Sequence, residues 1–187
     1  ARYEEMRGKL QGMAPELQEL ALQSYHKLLS YKDEYEVARL LLATKTQVAE
    51  RFEGDYEISY HLAPPLLAKT GPDGRPQKRS FGAWFDWVSQ GLARLSFLRE
   101  TPFDPFGYSA ERRMERQLIK DFESLVGRML RDYDPERLDI WQEILSLPLN
   151  IRGFGPVKLA NAKAMQKRRA ELLDQLTKGN ASERSAA

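Results

Sequence analysis

Residues 109–130 read SAERRMERQLIKDFESLVGRML, and this stretch decides the fold class. Ser109 is a natural N-cap, its hydroxyl suited to accept from an unpaired amide of the first turn. Behind it, Met114, Leu118, Phe122, Leu125, Val126, Met129 and Leu130 recur at spacings of three and four. That period places them on one face of a long helix whose apolar stripe needs other helices to cover it.

The same period extends outward in both directions. Downstream, Asp134-Pro135-Glu136 restarts the chain as a helix carrying Leu138, Trp141, Ile144 and Leu145 as far as Pro148. After Ile151-Arg152-Gly153-Phe154-Gly155, Pro156 opens a last helix with Ala160, Ala164, Leu172, Leu173 and Leu176. Residues 177–187 are small and polar and are expected to form a flexible tail. Upstream, Pro15 suits the first turn of a helix bearing Leu17, Leu20, Ala21, Leu28 and Leu29. Asp33 with Glu36 forms a capping-box-like start for the next, whose inward set is Val37, Ala38, Leu41, Leu42, Val48, Ala49 and Phe52, with Gly54 as its stop.

The period changes only once. Tyr56, Ile58, Tyr60 and Leu62 alternate with Glu57, Ser59 and His61, as a half-buried strand does. Pro64-Pro65 ends it, a polar loop over 70–76 follows, and Lys78-Arg79-Ser80-Phe81 is a plausible return strand. Trp84, Phe85, Trp87, Val88, Leu92, Leu95 and Leu98 then predict an aromatic amphipathic helix, weakened slightly by Gly91. The aromatic loop Thr101–Tyr108 holds two prolines and a glycine and cannot be helical. The expected fold is mainly α: a single helical domain over 1–176 with a small β-hairpin insertion, then the tail 177–187.

Composition removes whole classes of chemistry. The 187 residues include no cysteine and two histidines, so disulfides, thiol nucleophiles, thiolate-ligated clusters and Cys-type zinc sites are excluded. The 29 Lys+Arg against 27 Asp+Glu leave a net charge of +2, with no half strongly basic. No apolar run approaches the roughly 18–20 residues needed to cross a bilayer. The start, Ala1-Arg2-Tyr3-Glu4-Glu5, has neither an initiator Met nor a signal-peptide core. A soluble, cytoplasmic, excised domain is expected.

Three local constellations could carry chemistry. Glu111 with Glu115, and Arg112 with Arg116, fall four apart and share helix faces, as paired carboxylates would require; ordinary solvent-facing ion pairing is the plainer reading. His61 and His26 have no metal-ligand companions at useful spacing. Arg152, Gly153, Gly155 and Lys158 stand at a helix start, where free amides and the helix dipole attract anions. A packed turn between helices is the plainer reading of the same residues. The 152–169 stretch holds Arg152, Lys158, Lys163, Lys167, Arg168 and Arg169 with no acid. That leaves open an alternative, a free-standing nucleic-acid-binding module built on the Gly153–Lys158 turn and the basic helix.

Six ordered blocks carry a resemblance: 31–40 (YKDEYEVARL), 52–56 (FEGDY), 61–67 (HLAPPLL), 101–108 (TPFDPFGY), 110–116 (AERRMER) and 151–155 (IRGFG). Over roughly residues 20–175 the chain resembles the C-terminal domain of the large fused bacterial indolepyruvate (2-oxoacid):ferredoxin oxidoreductases. It departs from that pattern at Leu41-Leu42-Ala43-Thr44 and at Pro156. The resemblance implies a parent enzyme that oxidatively decarboxylates 2-oxo acids to acyl-CoA with thiamine diphosphate, magnesium and 4Fe–4S clusters. It implies ferredoxin, coenzyme A and a homo-oligomeric assembly at the level of that parent. For this chain it implies an accessory domain that binds no cofactor itself and carries no catalytic residue, docked on the catalytic domains. Phe103, Phe106, Tyr108, Arg112 and Arg116 are the expected interface. Membrane and nucleic-acid partners are not expected.

Overall fold

The computed structural model describes residues 1–63, 71, 77–153 and 155–186, and of 179–186 the backbone alone. Pro64-Pro65, most of the 70–76 loop and Phe154 lie outside the described residues. The architecture is mainly α with one small antiparallel sheet. The helices are α1 (Arg2–Lys9), α2 (Pro15–Leu29), α3 (Glu34–Arg51), α4 (Phe85–Arg94), α5 (Ala110–Asp132), α6 (Leu138–Ser146) and α7 (Pro156–Ala186). The strands β1 (Tyr60–Leu62) and β2 (Arg79–Phe81) pair Tyr60 with Phe81, His61 with Ser80 and Leu62 with Arg79. Where the sequence suggests one domain, the chain gathers into two compact units. One comprises Ala1–Tyr31 with Met114–Ala187, the other Lys32–Arg113.

The first unit is built on the stripe that opened the sequence reading. Leu118, Ile119, Phe122, Leu125, Val126 and Met129 of α5 are buried with Leu17, Ala21, Tyr25 and Leu28 of α2, Trp141, Ile144 and Leu145 of α6, and Ala162, Met165, Leu172 and Leu176 of α7. Burial of this many large apolar side chains is the main term stabilising the unit. Polar ties set the register: the buried Ser24 hydroxyl donates to the Leu145 carbonyl at 2.6 Å. Tyr25 donates to Glu123 at 2.5 Å, and Arg2 pairs with the same carboxylate at 2.9 Å. The α1 helix, absent from the sequence reading, contributes Met6 to the core. The last helix continues to Ala186, across residues expected to be a tail.

The second unit has a smaller core of Tyr60, Phe81 and Phe85, flanked by Leu41, Ile58 and Leu62. The Phe81 and Phe85 rings are 4.9 Å apart. Two expectations change here. The strand is shorter than the alternation suggests: only Tyr60–Leu62 finds a partner, and Tyr56 is exposed. The buried side of α3 is confined to Tyr35 and Ala38, while Phe52 faces solvent.

Helix α4 is turned relative to the sequence expectation. It buries Phe85, Asp86 and Ser89, and leaves Trp84 58% and Trp87 79% exposed. The cause is polar. Asp86 accepts from the Tyr60 hydroxyl at 2.6 Å and forms an ion pair with Lys45 of α3. The inward carboxylate is tolerated because both partners are in place; without them a buried charge would cost several kcal/mol.

Candidate functional site

In the second unit, three of the quoted blocks close into one polar knot. Asp33 caps α3 by accepting the Glu36 amide at 2.8 Å. The same carboxylate binds Arg99 through Nε at 2.5 Å and Nη2 at 3.0 Å. The Arg99 guanidinium lies 6.0 Å from the centre of the Tyr35 ring. Tyr35 donates to Asp104 Oδ1 at 3.1 Å, and Phe106 meets its ring edge-on at 5.4 Å. Burial first, then the Asp104 charge and hydrogen bond, push the Tyr35 phenol up to about 12.

Asp104, itself buried, organises the aromatic loop. It accepts the Phe106 amide at 3.2 Å and the Glu100 amide at 3.3 Å. Glu100 adopts φ +64, the single positive-φ residue other than glycine among the described residues. Such a conformation persists only where neighbours impose it. Thr101 donates to the Leu98 carbonyl, and Tyr108 to the Pro102 carbonyl, both at 2.7 Å. Arg112 donates to the Lys32 carbonyl at 3.1 Å and approaches Glu34 at 3.4 Å. The outcome is a braced loop that turns Phe103 (78% exposed) and Tyr108 (63%) outward.

Of the expected interface residues, Phe103 and Tyr108 are therefore presented to solvent. Phe106 and Arg112 are used inside the second unit. Arg116 lies in the first unit, half-buried on α5.

The glycine turn belongs to the first unit. Gly153 has φ +88, and a Cβ there would come within 2.8 Å of the Val157 side chain. Only glycine fits so close an approach. Gly155 has φ +55, and its carbonyl accepts the Leu159 amide at 3.0 Å. The Arg152 carbonyl accepts from Asn161 at 2.8 Å, while its side chain is exposed. Lys158, expected to help hold an anion, donates to the deeply buried Glu115. Its charge is turned toward a protein carboxylate, which also removes Glu115 from any two-carboxylate arrangement with Glu111.

Two further cations of the basic stretch are engaged similarly. Arg168 pairs with Glu143 at 2.7 Å and with Glu171 at 3.4 Å, and Arg169 with Asp121 at 3.0 Å. Surface pairs of this kind stabilise little, and Arg152, Lys163 and Lys167 of the same stretch are exposed.

The family model DUF6537 spans residues 1–171. The chain belongs to the DUF6537 family, a family of unknown function. No curated protein and no solved structure matches it.

Within this DUF6537 chain, no group of three or more His, Asp or Glu is placed to hold a metal ion among the described residues. With no cysteine in the sequence, its donor set does not fit a thiolate-ligated iron–sulfur cluster. His26 stands edge-on to Tyr3 at 6.1 Å and lines a surface groove with Arg7, while His61 sits in β1 opposite Ser80. Among the described residues no helix is long and apolar enough to cross a membrane.

The sequence reading missed the Lys45–Asp86–Tyr60 cluster. Burial would raise the Asp86 carboxyl, but the hydrogen bonds from Lys45 and Tyr60 prevail and hold it below its ordinary value. Burial, with the Asp86 hydrogen bond and charge, pushes the Tyr60 phenol up to about 12. Three residues on three elements, separated by 15 and 26 positions, leave no local signal of such a cluster.

Proposed function

We propose that this chain is a non-catalytic accessory domain of a cytoplasmic, thiamine-diphosphate- and iron–sulfur-dependent indolepyruvate (2-oxoacid):ferredoxin oxidoreductase. It stabilises the assembly rather than performing the chemistry. The enzyme class rests on the six-block resemblance. The accessory role is supported by one observation: several polar residues of those blocks are engaged by other groups of the chain. Asp33, Tyr35, Asp104 and Arg112 brace a loop, and Glu115 is ion-paired with Lys158. A catalytic set would instead converge on a space where substrate could sit.

In this reading the Thr101–Tyr108 loop offers Phe103 and Tyr108 to the catalytic domains. Decarboxylation, electron transfer to ferredoxin and acyl transfer to coenzyme A take place in those domains.

The test begins with the full-length polypeptide that contains this sequence. Deleting the residues equivalent to 1–187 is expected to impair assembly or turnover. The isolated chain should show no 2-oxo-acid-dependent reduction of a viologen dye. A truncated enzyme with full stability and activity would overturn the proposal, as would a natural polypeptide with no oxidoreductase domains.

A further inference from the structure

The outer face of α4 is apolar as far as Arg94 in its last turn. Trp84, the adjacent pair Trp87 and Val88, then Gly91 and Leu95 recur at three- and four-residue spacing, Trp84 and Leu95 being the residues that flank the helix, and none is charged. Trp84 and Trp87 are 58% and 79% exposed, Val88 and Leu95 39% and 41%. Phe97, on the 3-10 turn (Leu95–Leu98) that follows, is 71% exposed. An apolar stripe at this spacing is what a helix ordinarily turns toward another helix. Here the inner face, which carries Phe85, Asp86 and Ser89, already packs on α3 and the hairpin core, and the outer stripe is left exposed.

We propose that two copies of this chain associate through this face, their α4 helices antiparallel and crossing at Gly91. The argument for a second copy is that the stripe is complementary to itself. About a twofold axis at Gly91, Trp87 of one copy falls opposite Leu95 of the other, and Trp84 opposite Leu98. Large aromatics thus meet smaller aliphatic positions, and the side-chain-free residue sits at the crossing. A Cβ at Gly91 would meet nothing within 4 Å, so the notch is open to the mate. The twofold also brings Arg94 beside the mate's Trp87, within reach of a cation–π contact. Such an interface is isologous and closes at two copies.

The area is sufficient. Taking about 250 Å² for a whole Trp side chain, the exposed parts of the stripe amount to on the order of 500 Å² per copy. A symmetric pair buries on the order of 1,000 Å², the lower bound for a specific interface. The inference stands apart from the oxidoreductase reading, since it uses only α4.

The cysteine-free sequence makes the test direct, because Gly91→Cys introduces the only thiol. Two helices crossing 8–10 Å apart, each with Cα atoms about 2.3 Å from its axis, put the facing Cα atoms roughly 3.4–5.4 Å apart. The wider half of that range, as bulky Trp side chains at the crossing require, permits a disulfide. Gly8→Cys, on α1 with equally open space, is the control. At ~10 μM under mild oxidant, Gly91→Cys is expected to cross-link at least tenfold faster than Gly8→Cys. Adding Trp87→Asp should return it to the control rate. Sedimentation of the wild-type chain should show a dimer that Trp87→Asp converts to monomer with unchanged far-UV circular dichroism. Equal cross-linking rates at the two positions would overturn the proposal, as would a wild-type chain that stays monomeric up to ~100 μM.

Discussion

Replacing Asp104 with Ala should release the aromatic loop while leaving the rest of the chain in place. The donors this carboxylate holds include the Tyr35 hydroxyl, the Phe106 amide and the Glu100 amide. A hydrogen bond to a charged acceptor is worth about 1.5–3 kcal/mol net. The amides at Phe106 and Glu100 exchange with solvent through local opening, so each should lose protection by about that amount. At 1.4 kcal/mol per tenfold, exchange should quicken by roughly 10- to 100-fold. Hydrogen–deuterium exchange read by mass spectrometry on a peptide covering 99–109 measures this directly. A peptide covering α6, in the other unit, serves as the internal reference.

Asp104→Asn keeps an acceptor but loses the charge, so its acceleration should be smaller. The braced-loop reasoning is refuted if the 99–109 peptide of Asp104→Ala exchanges at the wild-type rate. It is equally refuted if the α6 peptide accelerates as much, since that would mean global unfolding rather than local release.

Three further outcomes follow from the same contacts. Tyr25, Tyr35 and Tyr60 are each raised to about 12, chiefly by burial. Their folded values exceed the ordinary 10, so their contribution is intact below pH 10 and is lost as pH rises toward 12. Absorbance titration at 295 nm should show three of the eight tyrosines ionising late, together with alkaline unfolding; a single transition near 10 would contradict the burial argument. Asp86 shifts the other way: its folded value lies below 3.8, so its stabilising share is present above that pH and lost as pH falls through the folded value. In Lys45→Met, burial should prevail and carry the Asp86 carboxyl above 3.8 by ¹³C NMR titration, whereas a value that stays low would show that the ammonium is not what holds it down. Gly153→Ala forces a Cβ into φ +88 and against Val157, and should cost about 2–3 kcal/mol in urea unfolding. Gly8→Ala, in open space on a helix, should instead gain about 0.5–1 kcal/mol, and equal effects at the two glycines would refute the distinction.

Much of the architecture is legible because most of it is helix with a single buried stripe. The α5 pattern, the Pro15 and Pro156 starts and the Asp33 cap all depend on neighbours within four residues. The short α1 escaped notice because its one buried apolar residue, Met6, makes no period. The knot is legible only in fragments. Asp33 reads locally as a cap, but its pairing with Arg99 spans 66 positions, and Tyr35 reaches Asp104 across 69. Nothing in either segment names the other.

The misreading of α4 has a physical cause that also bears on how the second unit meets other surfaces. A hydrophobicity pattern ranks Trp84 and Trp87 as core and Asp86 and Ser89 as surface. The chain does the reverse, because Lys45 and Tyr60 supply Asp86 with an ion pair and a hydrogen bond that no water needs to replace. Rotating α4 to bury its tryptophans would carry Asp86 out and take from the Tyr60 hydroxyl, set among Phe81 and Phe85, the carboxylate it donates to. The apolar outer face is therefore the consequence of a polar inner one. If that coupling holds, Asp86→Leu weakens two things at once: the anchoring of α4 on α3, and the cross-linking of Gly91→Cys that depends on α4's orientation.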